Sequence, residues 1–340
     1  MTKSGSVRIG VMGCGWVAER VHLPALCSIP AFDVAALADI DAPRMAELAG
    51  RFGIARTYAE PAALFGDPTL DAVAICMPPL LHADAIVAAL DAGKHVFVEK
   101  PLALSQADIE RVVERAAAAS QTTLVGFNLR HHRLIRQARD AVQSGTLGRL
   151  RLVQLTFCSG RDQMPTWRSN ELTSGGVVSE LGTHHFDVLR FITGSDIEEI
   201  RGTRSGQSVG ITGRLSCGAV FTSVLSEGGV DDNEIVLYGD KAVCRVNCYR
   251  ADGFSIASRR QRGTVRALAG SGASTTRAFP RMIALARQGG EYGASYRAQW
   301  RHFAACINSE TPPACTVRDA AKASYAAAAV LDSFTAPARG

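Results

Sequence analysis

Apolar and polar positions change rhythm once along this chain. Through the first 126 residues, apolar runs at Val7 to Met12, Val34 to Ala38, Ala72 to Met77, His95 to Val98 and Thr123 to Val125 alternate with stretches compatible with helix. Short continuous apolar runs suit strands buried on both faces, and strands separated by helices form parallel sheets. From Ile109 to Ala119 apolar residues recur at helical spacing, and Ser105 with Asp108 resembles a capping signal. Beyond Phe127 one helical stretch reaches Ser144, strand-like Leu150 to Cys158 follows, and a helix is predicted over Val177 to Ile192. Strand-like runs at Ile197 to Thr203, Ser208 to Leu215, Val220 to Leu225, Glu234 to Tyr238 and Ala242 to Val246 are linked by Gly, Ser and Asp turns. They predict a largely antiparallel sheet. Helices over Ser295 to Asn308 and Val317 to Phe334 close the chain. The expected fold class is α/β: a doubly wound parallel sheet over residues 1–126, then an α+β domain over residues 127–340 with a large, mostly antiparallel open sheet.

Composition narrows the function classes. With 340 residues, 47% hydrophobic and 20% charged, the chain can bury two cores and is too apolar for broad disorder. Its net charge of +5 is spread out, with no Lys/Arg run dense enough to track a phosphate backbone, so nucleic acid is not an expected partner. Met1 to Gly5 has no apolar core, and the next apolar stretch is broken by Arg8 and by glycines, so the expectation is a cytoplasmic protein without a membrane span. The nine cysteines include no C-x-x-C pair. Cys244 and Cys248 share one face of a strand-like segment, but a zinc site needs about four convergent ligands, so no metal is expected. The Arg-, Gly- and Ser-rich stretch from Ser258 to Thr276 lacks periodicity and reads as a loop.

The first chemical signal follows the first strand. Gly13-Cys14-Gly15-Trp16-Val17-Ala18 puts G-x-G-x-x-A between a strand and a helix start, as a Rossmann pyrophosphate site requires. Gly13 permits the tight turn, Gly15 lets phosphate approach the backbone, and small Ala18 lets helix and strand pack closely. Amides of Cys14, Trp16 and Val17 at the helix start then face the phosphates. Asp39, with Ile40 beside it, ends the second strand about 20 residues on, where a carboxylate accepts bonds from ribose hydroxyls. A carboxylate there repels the extra phosphate of NADP and favours NAD, although Arg44 nearby works against that preference.

Two further clusters carry candidate catalysis. Glu99-Lys100-Pro101 follows an apolar strand, at the carboxyl end where ligands bind in parallel sheets. Lys100 can reach a substrate hydroxyl there, or pair with Glu99; Pro101 suits a rigid turn. In Gly175 to Asp187, Glu180, His184 and Asp187 share one face of a helix, so a carboxylate could orient an imidazole as general base. His185 points roughly 100° away, which suits packing or a supporting place at the site.

Taken together and in this order, these elements resemble the glucose-fructose oxidoreductase, inositol dehydrogenase and MocA family. The carriers are Ile9 to Ala18, Ala38-Asp39, His82 after Pro78-Pro79, Ala92 to Pro101, and Gly182-Thr183-His184 with Asp187. The resemblance implies an NAD-dependent oxidoreductase acting at a ring hydroxyl or ketone of a sugar, cyclitol or nucleotide sugar. It implies that Lys100 contacts the reacting hydroxyl and His184 relays its proton, with Glu180 where members often carry aspartate. It places Met77, Pro78, His82, Glu99, Lys100 and Asn128 along the cofactor. Arg130, Trp167, Arg168 and His185 are candidates for the substrate side, and Arg161 and the basic stretch from Arg259 to Arg266 for an anionic substituent. It also implies a homodimer or homotetramer through the C-terminal sheet. An NAD-dependent glycosidase with transient oxidation and a non-catalytic NAD sensor remain alternatives.

Overall fold

The computed structural model describes residues 5–160, 166–258 and 290–334. Arg161 and the stretch from Arg259 to Arg266 therefore lie outside the described residues. The chain forms two compact units. One comprises residues 1–128, 166–175 and 296–324; the other comprises residues 129–165, 176–295 and 325–340.

The first unit is built on six strands: β1 (Val7–Met12), β2 (Phe32–Ala38), β3 (Arg56–Tyr58), β4 (Ala72–Ile75), β5 (His95–Val98) and β6 (Thr123–Val125). Their order is β3-β2-β1-β4-β5-β6, and every pairing is parallel. The chain winds outward from β1 to β3, then returns to place β4 beside β1. That reversal opens a crevice at the carboxyl ends of β1 and β4, where such sheets bind ligands. β3 is not marked by the apolar pattern because Arg-Thr-Tyr at the sheet edge carries no hydrophobic run. Capping of the helix Gln106–Ala118 follows the sequence expectation, since Ser105 Oγ accepts from Asp108 N at 3.1 Å.

The contact division departs from two contiguous blocks split after residue 126. Residues 296–324 join the parallel-sheet unit because the helix Gly290–Ile307 carries Trp300 and Phe303, both fully buried, into its core. Trp300 packs on Phe97 of β5 at 4.1 Å between centroids and edge-on to Phe32 of β2 at 5.5 Å, with Phe303 alongside. A sequence separation of about two hundred residues hides this packing from local periodicity.

The second unit carries seven strands: β7 (Leu150–Ser159), β8 (Ile197–Ser205), β9 (Ser208–Leu215), β10 (Val220–Glu227), β11 (Asp232–Gly239), β12 (Ala242–Asn247) and β13 (Phe254–Ser258). Their order is β13-β12-β11-β7-β10-β9-β8, antiparallel except for the parallel pair β10 and β7. Ser258, placed by sequence at the start of a loop, ends β13. The inward positions of β7 and β10, including Val153, Leu155, Phe221 and Leu225, are buried. On the opposite face of β10, Val220 and Val224 are exposed. Among the described residues no helix is long and apolar enough to cross a membrane.

Trp300 gives the first unit its largest fully buried side chain. Trp300→Ala is expected to destabilise the protein by about 3–5 kcal/mol, through lost burial and the cavity left behind. A urea titration followed by circular dichroism measures it, and a change under about 1 kcal/mol would contradict this account of the core.

Candidate active site

Each unit carries some of the candidate residues, and each set is built from local geometry. In the parallel-sheet unit, Gly13 leaves β1 with φ of +92° and donates its N–H to Ala38 O at 2.8 Å. A Cβ at Gly13 would lie 2.5 Å from the Cys76 carbonyl oxygen, so no side chain fits where β1 and β4 diverge. At Gly15 the same construction meets no atom within 4 Å, which leaves the backbone open to a phosphate. Asp39 Oδ2 accepts from Cys14 N at 2.5 Å and Oδ1 from Asp41 N at 2.9 Å. A carboxylate has about four acceptor sites, so capacity remains for ribose hydroxyls. Trp16 and Ile40 are 58% and 92% exposed, apolar side chains in water beside the open glycine turn. These residues fit a dinucleotide. The helix after the turn departs from the expected form, since Ala18–His22 makes a π turn before the α-helix Leu23–Cys27.

The Glu99-Lys100-Pro101 segment is held from beneath. Glu99, nearly buried at the end of β5, takes a hydrogen from His22 Nε2 at 2.8 Å on Oε1 and from the Lys100 backbone N–H at 3.2 Å on Oε2. Trp300 Nε1–H donates to His22 Nδ1 at 3.2 Å. An indole N–H can only donate, so Nδ1 of His22 is the acceptor and Nε2 carries the hydrogen given to Glu99. Sequence reasoning has no handle on His22, because a lone histidine on a helix carries no spacing signal. The Lys100–Pro101 peptide is cis, and Lys100 is half-buried.

His82 is fully buried, with Nδ1 at 2.7 Å from Pro101 O and Nε2 at 2.9 Å from Met77 O. One ring nitrogen thus faces the turn after Lys100 and the other the segment after β4, and the neutral ring donates to one of these carbonyls at a time. Burial lowers its pKa, although both carbonyls act in the opposite direction. Pro78 and Pro79 lead into the helix His82–Asp91, and Asn128, at 0% exposure, follows β6. Trp167 and Arg168, half-buried on the short helix Thr166–Ser169, group with this unit although they come from the C-terminal half of the chain.

In the second unit, Glu180 lies in a π turn, Val178–Gly182, that runs into the α-helix Thr183–Thr193 carrying His184, His185 and Asp187. The face expected from α-helical spacing therefore holds from Thr183 onward and is altered at Glu180. Glu180 and His184 are each 6% exposed. Asp187 receives Arg130 through both oxygens, Nε at 3.0 and 2.9 Å and a terminal nitrogen at 2.6 Å. Arg130 also lies over the Phe191 ring at 5.4 Å. The guanidinium read from sequence as a substrate contact is thus buried and engaged by a protein carboxylate. His185 is fully buried, its Nδ1 2.7 Å from Ser223 Oγ of β10, an interior place that agrees with the packing expected from its helical position. Cys244 and Cys248 are free, buried thiols pushed up to about 12 by burial, and no group of three metal-ligating side chains converges among the described residues.

Comparison with known proteins agrees with this geometry. Residues 7–127 match the family described as "Oxidoreductase family, NAD-binding Rossmann fold", and residues 135–255 match the "GFO/IDH/MocA C-terminal domain". This chain belongs to the GFO/IDH/MocA family. It is similar to a myo-inositol 2-dehydrogenase from Thermotoga maritima, 31% identical over 238 residues, 68% of this chain and 70% of the relative. A dTDP-3,4-didehydro-2,6-dideoxy-alpha-D-glucose 3-reductase from Saccharopolyspora spinosa is 34% identical over 52% of this chain and 53% of its own. A crystal structure of a probable dehydrogenase from Thermotoga maritima superposes with a TM-score of 0.77 at 25% identity, covering 96% of each chain. Family membership makes this chain an oxidoreductase with NAD as cofactor, and the Gly13 turn, the open backbone at Gly15 and Asp39 have the geometry to hold a nucleotide.

Burial holds the His185 pKa down, from 6.5 to about 3. The native state therefore binds fewer protons than the unfolded state between these values, and stability rises with pH across that window. Stability from this group is complete above pH 6.5 and falls progressively toward pH 3. At pH 5 the loss is about 2 kcal/mol relative to pH 7. Urea unfolding of the unaltered protein and of His185→Gln at pH 7 and pH 5 checks this, with a smaller pH dependence expected in the variant.

Proposed function

We propose that this NAD-dependent enzyme oxidises a ring carbinol, or reduces the matching ketone, on a cyclitol, sugar or nucleotide sugar. The observation that carries the proposal is Lys100, set at the carboxyl end of β5 by the Glu99–His22–Trp300 chain of hydrogen bonds, in the unit that holds the nucleotide fingerprint. The inositol dehydrogenase and dTDP-sugar reductase among its relatives support the substrate class.

Bound NAD would take up or return the hydride. Lys100 donates a hydrogen bond to the reacting oxygen and stabilises its charge as the carbon–hydrogen bond breaks. His184 accepts the hydroxyl proton, and Glu180 supplies the carboxylate that favours the protonated imidazole. In reduction, the same residues work in reverse, with His184 returning the proton. Trp167 and Arg168 are assigned to the substrate side, Arg168 suiting an anionic or hydroxyl-rich substituent.

Self-association through the seven-stranded sheet belongs to the same proposal. Its outward face presents Val220 and Val224 of β10 to solvent, where a second copy would cover them. Val224→Arg is expected to lower the mass measured by light scattering to that of one chain; an unaltered mass would remove this face from the assembly.

The catalytic assignment is tested by NADH formation with a panel of cyclitols, sugars and nucleotide sugars. With the substrate so found, Lys100→Met and His184→Asn are each expected to lower kcat by about 10²- to 10⁴-fold while NAD still binds. NAD binding without net NADH from any substrate would favour the glycosidase or the sensor instead.

A further inference from the structure

Three arginines gather around one carboxylate beside the ribose end of the nucleotide site. Glu19 lies on the π turn directly after the glycine fingerprint. Its Oε2 accepts from an Arg44 terminal nitrogen at 2.7 Å, its Oε1 from Arg51 at 2.8 Å, and Arg20 Nε lies 4.0 Å from Oε1. Arg44 directs its Nε–H to Cys14 O at 2.6 Å. Cys14 is also the residue whose N–H is held by Asp39, so Arg44 and Asp39 meet at the same turn of backbone. Burial acts to raise the Glu19 pKa, but the bonds from Arg51 and Arg44 outweigh it and hold the carboxyl below its ordinary range. Glu19 thus stays ionised at neutral pH while its side chain is 13% exposed and the three arginines are 36–63% exposed.

An arginine just beyond a ribose-binding carboxylate would ordinarily offer its fork to a ribose 2′-phosphate. Here that fork is occupied on two sides, by a backbone carbonyl and by Glu19. We propose that Glu19 is a cofactor-specificity residue, which neutralises and ties Arg44 and Arg51 so that this arginine cluster does not serve as a 2′-phosphate site. Discrimination against NADP then has two sources in this chain: Asp39 repels the phosphate, and Glu19 withholds the cations that could offset that repulsion. Both act on binding, and neither touches the reacting carbon. The inference rests on the nucleotide site of the family and is independent of which hydroxyl is oxidised.

The test is calorimetric titration of the full chain with NAD and with NADP, which needs no substrate. Glu19→Gln is expected to lower the ratio of the NADP to the NAD dissociation constant by about tenfold, equivalent to about 1.4 kcal/mol. Glu19→Ala, which also removes the amide acceptor, should do so at least as strongly and serves where the first variant folds poorly. The gain should vanish in Glu19→Gln/Arg44→Leu/Arg51→Leu, because the two freed guanidinium groups are its source. An unchanged ratio in both single variants, or a gain that survives loss of both Arg44 and Arg51, overturns the inference while NAD binding stands. Failure of the unaltered protein to bind NAD would overturn the nucleotide site and the inference together.

Discussion

Glu99 puts a carboxylate into the interior of the parallel-sheet unit, and a buried charge is stable only where hydrogen-bond donors meet it. Those donors come from far apart in the chain. His22, 77 residues earlier, supplies one hydrogen, and Trp300, 278 residues from His22, fixes which ring nitrogen carries it. Gly126 makes room, since a Cβ there would lie 3.1 Å from Glu99 Oε1. The turn after the glycine fingerprint, strand β5 and the helix Gly290–Ile307 are therefore tied to one carboxylate, and Lys100 follows it directly in the chain. Removing one partner would leave polar groups buried without compensation, a larger loss than a single surface contact.

The two lysines in Ala92 to Pro101 illustrate how the strand separates structure from chemistry. Lys94, ahead of β5, is buried with Nζ donating to Asp67 O at 2.7 Å and Leu70 O at 2.9 Å, so it closes loops at the amino end of the sheet. Lys100 leaves the carboxyl end, where the crossovers open a crevice rather than close it. One residue type thus closes loops at one end of the sheet and leaves a strand at the other. His82 belongs to the same scheme, because its ring lies between the carbonyls of Met77 after β4 and Pro101 after β5.

In the second unit two adjacent histidines meet different surroundings. His185 faces β10 and is neutral in the interior beside Ser223, while His184 follows the π turn that carries Glu180. Widening of that turn changes how residues before and after it align, since a helix with i to i+5 bonds advances by a smaller angle per residue. The Arg130–Asp187 pair, with Arg130 and Arg139 both over the Phe191 ring, anchors the helix from the side of the preceding segment. A buried pair of this kind is stable when its geometry is bidentate, as here.

The alternation of apolar runs with helices, the antiparallel pattern after residue 150, the glycine turn with Asp39 and the order of the lysine and histidine segments were legible in the sequence. Each rests on local spacing, and local spacing survives in a linear string. The edge strands β3 and β13, the π turns, the embrace of Asp187 by Arg130 and the burial of His185 were not. Neither were His22, Trp300 and Glu19, whose importance lies in partners dozens to hundreds of residues away. The sequence by itself determined the fold class, the cofactor and the candidate chemistry, because strand period and a fingerprint loop are short-range properties. Only the tertiary structure decided which buried polar side chain meets which donor, because that choice depends on the packing of segments remote in sequence and on the need to satisfy every charge taken out of water.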